Sequence, residues 1–363
     1  MHLAGLWLTD FRCYREAELR LATGVTVISG ANAQGKTSLL EAVAWAATGT
    51  SFRGVPDAAL VRTGCEAAIL RAEVVDGTRV QLLEAEIRAT GRNRVRVNRQ
   101  ALKRAQDRAD LVRVTVFSPD DLQLVKGSPA GRRDYLDDLL VALAPRYVAV
   151  RGDYERVLRQ RNALLRHGIR NEDDASTLEV FNTQLARAGA ELTRGRLRML
   201  GQLTPLVDTA YRELAGSDAS TDATYESAWL APADHVESSL LAALRERRKA
   251  EIERGVTLTG PHRDEWRLRV DGLDSRSHAS QGEQRTLALA LRLAGHRLCT
   301  DVIGTPPVLL LDDVFSELDN QRAAALLAHL DAGQTLVTTA GAVPAGLHAE
   351  QLLRVDAGRL EAA

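Results

Sequence analysis

Apolar positions change their spacing several times along the chain, and each change marks an element. Residues 3 to 28 read as short strands that end in Val25, Thr26, Val27 and Ile28, with Gly24 as the turn before them. Thr37 to Ala47 is rich in leucine and alanine and long enough for a helix. From 68 to 97, AILRAEVVDG, TRVQLLEAEI and NRVRVNRQ suggest strands divided at Gly77 and Gly91, and LVRVTVF at 111 to 117 adds another ahead of Ser118 and Pro119. From Pro129 to about Met199 the pattern turns helical, broken at Pro145, with NEDDAS at 171 to 176 read as a loop that caps the next helix. The stretch 218 to 232 is polar and then proline-containing, and SSLLAALRERRKAEIERG at 238 to 255 returns to a helix. Short strands follow at VTLTG (256 to 260), WRLRV (266 to 270), PPVLLL (306 to 311) and QTLVTT (334 to 339). The chain leaves an α/β core for a helical insertion and comes back to it. No fixed-period repeat or long heptad array accompanies this pattern, which disfavours a long coiled coil.

The 363 residues suffice for two or three domains, or for one large unit with an insertion. Hydrophobic residues at 45% and charged residues at 26% describe a folded globular chain. A formal charge of -1 means that any basic surface must be local. Cys13, Cys65 and Cys299 form no CxxC pair and the histidines show no zinc spacing, as expected of a reduced compartment. Neither a signal-like start nor a membrane-length apolar run is present, so the expected location is cytoplasmic, with no membrane partner.

Candidate chemistry begins at GANAQGKTS, residues 30 to 38, between the strand ending at Ile28 and the helix from Thr37. Gly30, Gly35, Lys36 and Thr37 satisfy G-x-x-x-x-G-K-[ST]: small residues let backbone N–H groups approach phosphates, Lys36 reaches the terminal phosphates, and the Thr37 hydroxyl ligates Mg²⁺. The bland alternative is a glycine turn whose Lys36 faces solvent. PPVLLLDDVFSELD at 306 to 319 is the candidate acidic partner: a buried strand would deliver Asp312 to organise Mg²⁺, and Asp313 to orient the attacking water, while read alone the run is equally an ordinary strand and surface turn. The long separation of Lys36 from Asp312 implies intervening strands and a sizeable helical lobe. In ASQGEQRTLALALRLAG, Ser280 and Gly282 precede a helix whose N-terminus could meet phosphate, from this chain or from a second copy; a serine-capped helix is the competing reading.

Taken together, GANAQGKTS, VFSPDDLQLVKGSPAGRRDYLD (116 to 137), TGPHRDEW (259 to 266), SQGEQR and LLLDDVFSELD, behind an LTDFRCYRE start, resemble the RecF family of bacterial recombination-repair ATPases, relatives of ABC, Rad50 and SMC heads. The resemblance covers nearly the whole chain. It implies an α/β P-loop NTPase of ABC-ATPase-head type with an inserted helical lobe: residues 1–125 and 256–363 form the head and 126–255 the lobe. It implies a nucleotide loop of Gly30, Ala31, Asn32, Ala33, Gln34, Gly35, Lys36, Thr37 and Ser38 that binds ATP, with Mg²⁺ on Thr37 and Asp312 and catalysis by Asp313, Asp312 and Lys36. A signature at Ser280, Gln281, Gly282, Glu283 and Gln284 would act on the nucleotide of an ATP-dependent homodimer. Asp319, in SELD, would serve communication between sites. Ala33 stands where close relatives usually have glycine, and Ser38 replaces a frequent asparagine. Asp313 is shorter than the glutamate of many ABC ATPases, which suits slow hydrolysis used as a switch, and Thr338 or Thr339 occupies the region of the ABC switch histidine, with an ordinary strand-end threonine as the competing reading.

Asp120, Asp121 and Gln123 are candidates for the link between nucleotide and lobe, and His262, Arg263 and Asp264 form a polar turn that reads equally as a hydrogen-bonded loop. Arg92, Arg94, Arg96, Arg99, Lys126, Arg132 and Arg133 are DNA-contact candidates, with Arg146, Arg151, Arg156, Arg159 and Arg161 as a second cluster; ion pairing on helical surfaces is the alternative. The resemblance implies action at single-stranded gaps or duplex junctions in repair, replication maintenance and SOS induction, with RecR and RecO directing RecA. The competing function is an ABC-like structural or signalling ATPase with protein clients.

Overall fold

A computed structural model describes residues 1–102, 108, 111–230, 232, 235–329 and 333–362. The chain divides into two compact units: Met1–Leu122 with Thr209–Asp218 and Arg285–Ala363, and Gln123–Asp208 with Ala219–Gln284.

Two six-stranded sheets and several helical segments build the first unit. The antiparallel sheet has the order β2 (Tyr14–Arg20), β1 (His2–Phe11), β4 (Ala67–Asp76), β5 (Arg79–Arg88), β6 (Arg94–Val97), β7 (Gln100–Ala101). Its strands alternate: Ala68, Leu70, Ala72 and Val74 of β4 point inward, as do Leu83, Ala85 and Ile87 of β5 across from them. The other sheet runs β15 (Arg359–Ala362), β14 (Gln351–Asp356), β3 (Val25–Ser29), β13 (Thr335–Thr339), β12 (Val308–Asp312), β8 (Val114–Phe117), and is parallel except where β15 folds back on β14. Its central strands β12 and β13 are buried at every residue, which is why VLLL reads as an unbroken apolar run. Helix α1 (Lys36–Thr48) is apolar nearly all round because its leucines, alanines and Trp45 share one core cluster with both sheets. Gln334 ties the two sheets: its amide accepts from Leu3 N and donates to the Leu3 and Ala22 carbonyls, all at 2.7 Å.

The second unit is mainly helical. Its elements are α2 (Leu122–Lys126), α3 (Pro129–Leu143), α4 (Tyr147–His167), the greater part of α5 (Glu172–Ala215), α6 (Val236–Glu246), α7 (Arg248–Arg254), and a small antiparallel sheet β11 (Leu273–Asp274), β10 (Glu265–Val270), β9 (Thr221–Glu226). Tyr135 of α3 stacks on Trp266 of β10 with ring centroids 6.0 Å apart. Residues 256–284, expected as part of the ATPase head, are grouped here with the helical residues.

Four local expectations differ from the structure. VTLTG at 256 to 260 is not a strand, because side chains take its backbone donors: Asn162 Oδ1 accepts from Thr257 N at 2.8 Å and Glu251 Oε1 from Leu258 N at 2.7 Å. NEDDAS is no loop beyond its first residue. Asn171 caps a helix that begins at Glu172 and carries Glu172, Asp173 and Asp174 in its first turn, where the helix dipole favours acidic groups. That helix continues through Pro205 to Ala215, well past Met199. Thr221–Glu226, which the polar composition obscured, pairs with β10 as β9.

Candidate nucleotide site

Strand β3, between β13 and β14, delivers the chain to Gly30. Backbone geometry explains both flanking glycines. Gly30 has φ 154°, and a Cβ there would lie 2.3 Å from the Val355 carbonyl oxygen; Gly35 has φ 116°, and a Cβ would lie 2.6 Å from Cys13 Sγ. Ala33 adopts φ 64°, the left-handed region that a residue with a Cβ enters at a cost. Lys36 Nζ donates to the carbonyls of Gly30 at 2.7 Å and Ala31 at 2.8 Å, so the loop curls around its own ammonium. Burial lowers the Lys36 pKa, while Asp313 and Asp312 pull it up.

Asp312, 275 residues beyond Thr37, ends β12 directly opposite Thr338 of β13. Its Oδ1 accepts hydrogen bonds from Thr37 Oγ1 at 2.9 Å and Thr338 Oγ1 at 2.8 Å. Burial pushes this carboxyl up, and the two hydroxyls oppose that shift by stabilising the ionised form. Asp313 follows at φ 51° and donates its N–H to Thr338 Oγ1 at 2.9 Å. A cavity of about 670 Å³ opens over these groups; Asn32, Ala33, Gly35, Lys36, Thr37, Ser38, Asp120, Asp312, Asp313 and Thr338 are among its lining residues. Gly30, Ala31 and Gln34 are absent from that lining. Gln34 instead holds the loop from behind, its side-chain oxygen accepting from Ala357 N at 2.6 Å.

The same cavity contains residues that had no assigned role. Arg12 projects into it on a fixed mount: Nε and Nη2 donate to the Glu41 carboxylate at 2.8 and 2.7 Å, and Nη1 to the Ala59 carbonyl at 2.8 Å. Glu41 is fully buried on α1 and also accepts from Ser51 Oγ. A carboxylate inside the apolar run LLEAVAWAA is the signal that could have found this pair.

Comparison with known proteins adds a second kind of observation. The RecF/RecN/SMC N-terminal domain model matches residues 2–356. The DNA replication and repair protein RecF of Streptomyces avermitilis is 47% identical over 350 residues, covering 94% of this chain and 93% of its own length. The RecF of Acidothermus cellulolyticus is 45% identical, with 93% of each chain covered. The chain belongs to the RecF family. It is a DNA replication and repair protein built on an ABC-ATPase head. A solved structure of the recombination mediator protein RecF with ATP, of the RecFOR pathway, superposes with a TM-score of 0.92 at 28% identity, covering 100% of this chain and 97% of that one. An Smc head bound to a domain of ScpA, at 15% identity and a TM-score of 0.59, shares the fold.

Other sequence candidates of this RecF-family chain fall into distinct environments. Asp121 does not line the cavity; it is buried, caps its own turn through Ser118 N, and accepts from Arg292 Nη2 at 2.7 Å. Gln123 lies in the second unit, as do Ser280, Gln281, Gly282, Glu283 and Gln284. Ser280 is exposed and starts helix α8 (Gln281–Ile303) with a reciprocal cap: its N donates to Glu283 Oε2 at 2.6 Å and its Oγ accepts from Glu283 N at 3.3 Å. Gln284 is buried and donates to the Ser275 and Arg276 carbonyls, so its amide is turned into its own loop and is removed from the phosphate-facing set. Asp319 is exposed and caps α9 (Asn320–Leu327).

The polar turn at 262 to 264 is a hydrogen-bonded scaffold. His262 meets Tyr154 Oη at 2.6 Å and burial drives its pKa down to about 4, while Asp264 accepts from Tyr225 and Trp229. Of the arginine candidates, Arg92, Arg94, Arg96 and Arg99 are exposed, Arg94 and Arg96 on one face of β6 opposite Glu86 and Glu84. Lys126 is partly exposed. Arg132 is withdrawn as a DNA contact: it is buried and bonded to Glu265 and to the Leu124, Val125 and Gly127 carbonyls. Arg133 is half-buried and donates to the Asp264 carbonyl at 2.8 Å. Arg161 is wholly buried against Glu251, Asn182 and Thr257, and Arg151 is held by Asp134, Asp138 and Glu155.

Proposed function

We propose that this chain is an ATP-controlled DNA-binding protein in which nucleotide closes a homodimer that engages gapped DNA. The observation that carries the nucleotide part is the meeting of Thr37 and Asp312 at 2.9 Å, beside Lys36, in one cavity. A hydroxyl and a carboxylate are the hard oxygen donors that Mg²⁺ takes, and Mg²⁺ would neutralise phosphate charge there. Among the described residues no group of three or more His, Cys, Asp or Glu could hold a metal alone, so a cation on Thr37 and Asp312 would complete its shell with phosphate and water.

In this reading the loop amides and Lys36 hold the terminal phosphates, and Arg12 adds positive charge to the cavity's lining. Asp313 orients the attacking water, and its short reach suits slow turnover. Ser280 at an exposed helix N-terminus engages the nucleotide of a second copy, with Asp319 serving communication between sites. Arg92, Arg94, Arg96 and Arg99, with Lys126 and Arg133, contribute to a backbone-reading surface. Kinship with a RecFOR-pathway mediator supports action at single-stranded gaps or junctions, in recombinational repair, replication maintenance and SOS induction, with RecR and RecO promoting RecA loading. No helix among the described residues is long and apolar enough to cross a membrane. Kinship with DNA replication and repair proteins supports a place in the cytoplasm.

The test measures association and gapped-DNA binding together, with and without ATP, for the unaltered protein, Lys36→Ala and Ser280→Arg. Lys36→Ala is expected to lose ATP binding, and Ser280→Arg to keep ATP binding but lose association. Nucleotide-dependent closure that survives in both variants would reject this mechanism. Association without any nucleotide-dependent DNA affinity would favour protein clients.

A further inference from the structure

The segment from Asp313 to Asp319 leaves the carboxylate end of β12 and is tied by side chains at nearly every turn. Ser316 Oγ donates to the Asp313 carbonyl at 2.7 Å. Glu317 Oε2 lies 3.5 Å from Arg285 Nη2, on the second turn of α8. Asp319 accepts from Arg322 N at 2.9 Å and also from Arg322 Nη1. The same guanidinium then reaches α8, where Nε donates to Thr286 Oγ1 at 2.8 Å. Thr286 is completely buried, and it sits on the helix whose first turn Ser280 caps.

Neither helix requires this bridge in order to form. Helix α9 is capped by Asp319 through the Arg322 backbone N–H, and α8 buries most residues between Leu287 and Cys299. What the bridge adds is a fixed relation between the loop and α8. Upstream, the loop is joined to the nucleotide cavity through Asp313 N, Thr338 Oγ1 and Asp312 Oδ1.

We infer that Arg322 is a positioning residue that couples the Asp312 site to helix Gln281–Ile303, and thereby to the exposed Ser280 at its start. A displacement of the loop when the cavity fills is passed to α8 at Thr286, and a helix carries such a shift along its axis as a stiff element. Arg285 and Glu317 form a second, longer and more exposed strap with the same ends. The inference rests on the proposed ATP-controlled dimer and names the residue that links loading to closure.

The experiment compares the unaltered protein with Arg322→Ala, Arg322→Gln, Thr286→Val and the Arg322→Ala/Thr286→Val double variant. Gln places its amide nitrogen where Arg has Nε, so it keeps the donor to Thr286 and removes the guanidinium arms. Three quantities are read: ATP affinity at protein concentrations too low for association, the ATP-driven association constant, and the melting temperature without nucleotide. Arg322→Ala is expected to leave ATP affinity within about threefold while weakening association roughly tenfold, the scale of one hydrogen bond from a charged donor. Thr286→Val should reproduce the effect, the double variant should add little to either single one, and Arg322→Gln should recover most of the loss. Wild-type association in Arg322→Ala, additive losses in the double variant, or a parallel fall in ATP affinity and melting temperature would each overturn the coupling. If the unaltered protein does not associate with ATP at all, the dimer reading fails first and the coupling with it.

Discussion

Thr338→Val removes one hydroxyl at the junction of the acidic pair while keeping the side chain's shape. Thr338 is 1% exposed, donates to Asp312 Oδ1 at 2.8 Å and accepts from Asp313 N at 2.9 Å. A bond to an ionised acceptor contributes about 1.5–3 kcal/mol, and removing the acceptor of a buried amide costs about 1–3 kcal/mol. Allowing for relaxation, the variant should lose on the order of 2–4 kcal/mol of local stability. The loss should depend on pH. Burial raises the Asp312 carboxyl and Thr338 opposes it, so Val moves that pKa further up. A raised folded-state pKa gives a contribution present at low pH and lost as pH rises through it; the penalty of Val is therefore largest on the alkaline side, where the carboxylate form prevails, and shrinks on acidification. Hydrogen exchange reads this directly: on the alkaline side the peptide containing the Asp313 amide should exchange roughly 30- to 700-fold faster in Thr338→Val, at about 1.4 kcal/mol per tenfold. The gap should narrow in mild acid, and Thr338→Ser should stay close to the unaltered protein. Equal protection, or a penalty independent of pH, would refute the reasoning.

Ala33→Gly should relieve the cost of φ 64°, about 1–2 kcal/mol, against about 0.4–1 kcal/mol of added unfolded-state entropy, giving a small net gain in thermal stability without loss of ATP affinity; melting curves and ATP titrations check it. Arg161→Met strands the fully buried Glu251 carboxylate and should cost about 3–5 kcal/mol in denaturant unfolding, partly restored when Glu251→Gln is added. Arg94→Glu with Arg96→Glu should weaken gapped-DNA binding and lower its salt slope by about two, since each phosphate contact accounts for about one; an unchanged slope would remove β6 from the DNA surface.

Where spacing and residue size dictate local geometry, the sequence was readable. The alternation of β4 and β5, the turn at Gly77 with φ 58°, the unbroken apolar β12 and the small-residue loop before α1 all follow from neighbouring residues. These elements bring Lys36, Thr37, Asp312 and Asp313 to one cavity. Features fixed by distant partners were not readable. VTLTG has strand composition, but Asn162 and Glu251 claim its backbone donors. Arg132 and Arg161 have the same side chain as Arg94, which also faces a carboxylate, Glu86, yet stays exposed; the packing brought around the first two makes them interior. Glu41 stands out as a carboxylate inside the apolar run LLEAVAWAA, but that it mounts Arg12, 29 residues away, is decided only by the fold.

The central claim is that the cavity around Lys36 is an ATP site completed by Thr37 and Asp312. Calorimetric titration of ATP with Mg²⁺ into the unaltered protein, Lys36→Ala and Asp312→Asn, after circular dichroism has established equal folding, tests it most directly. The unaltered protein should bind one ATP per chain, Lys36→Ala should lose at least about tenfold in affinity, and Asp312→Asn should lose the dependence on Mg²⁺. Equal ATP affinity in all three folded proteins would contradict it.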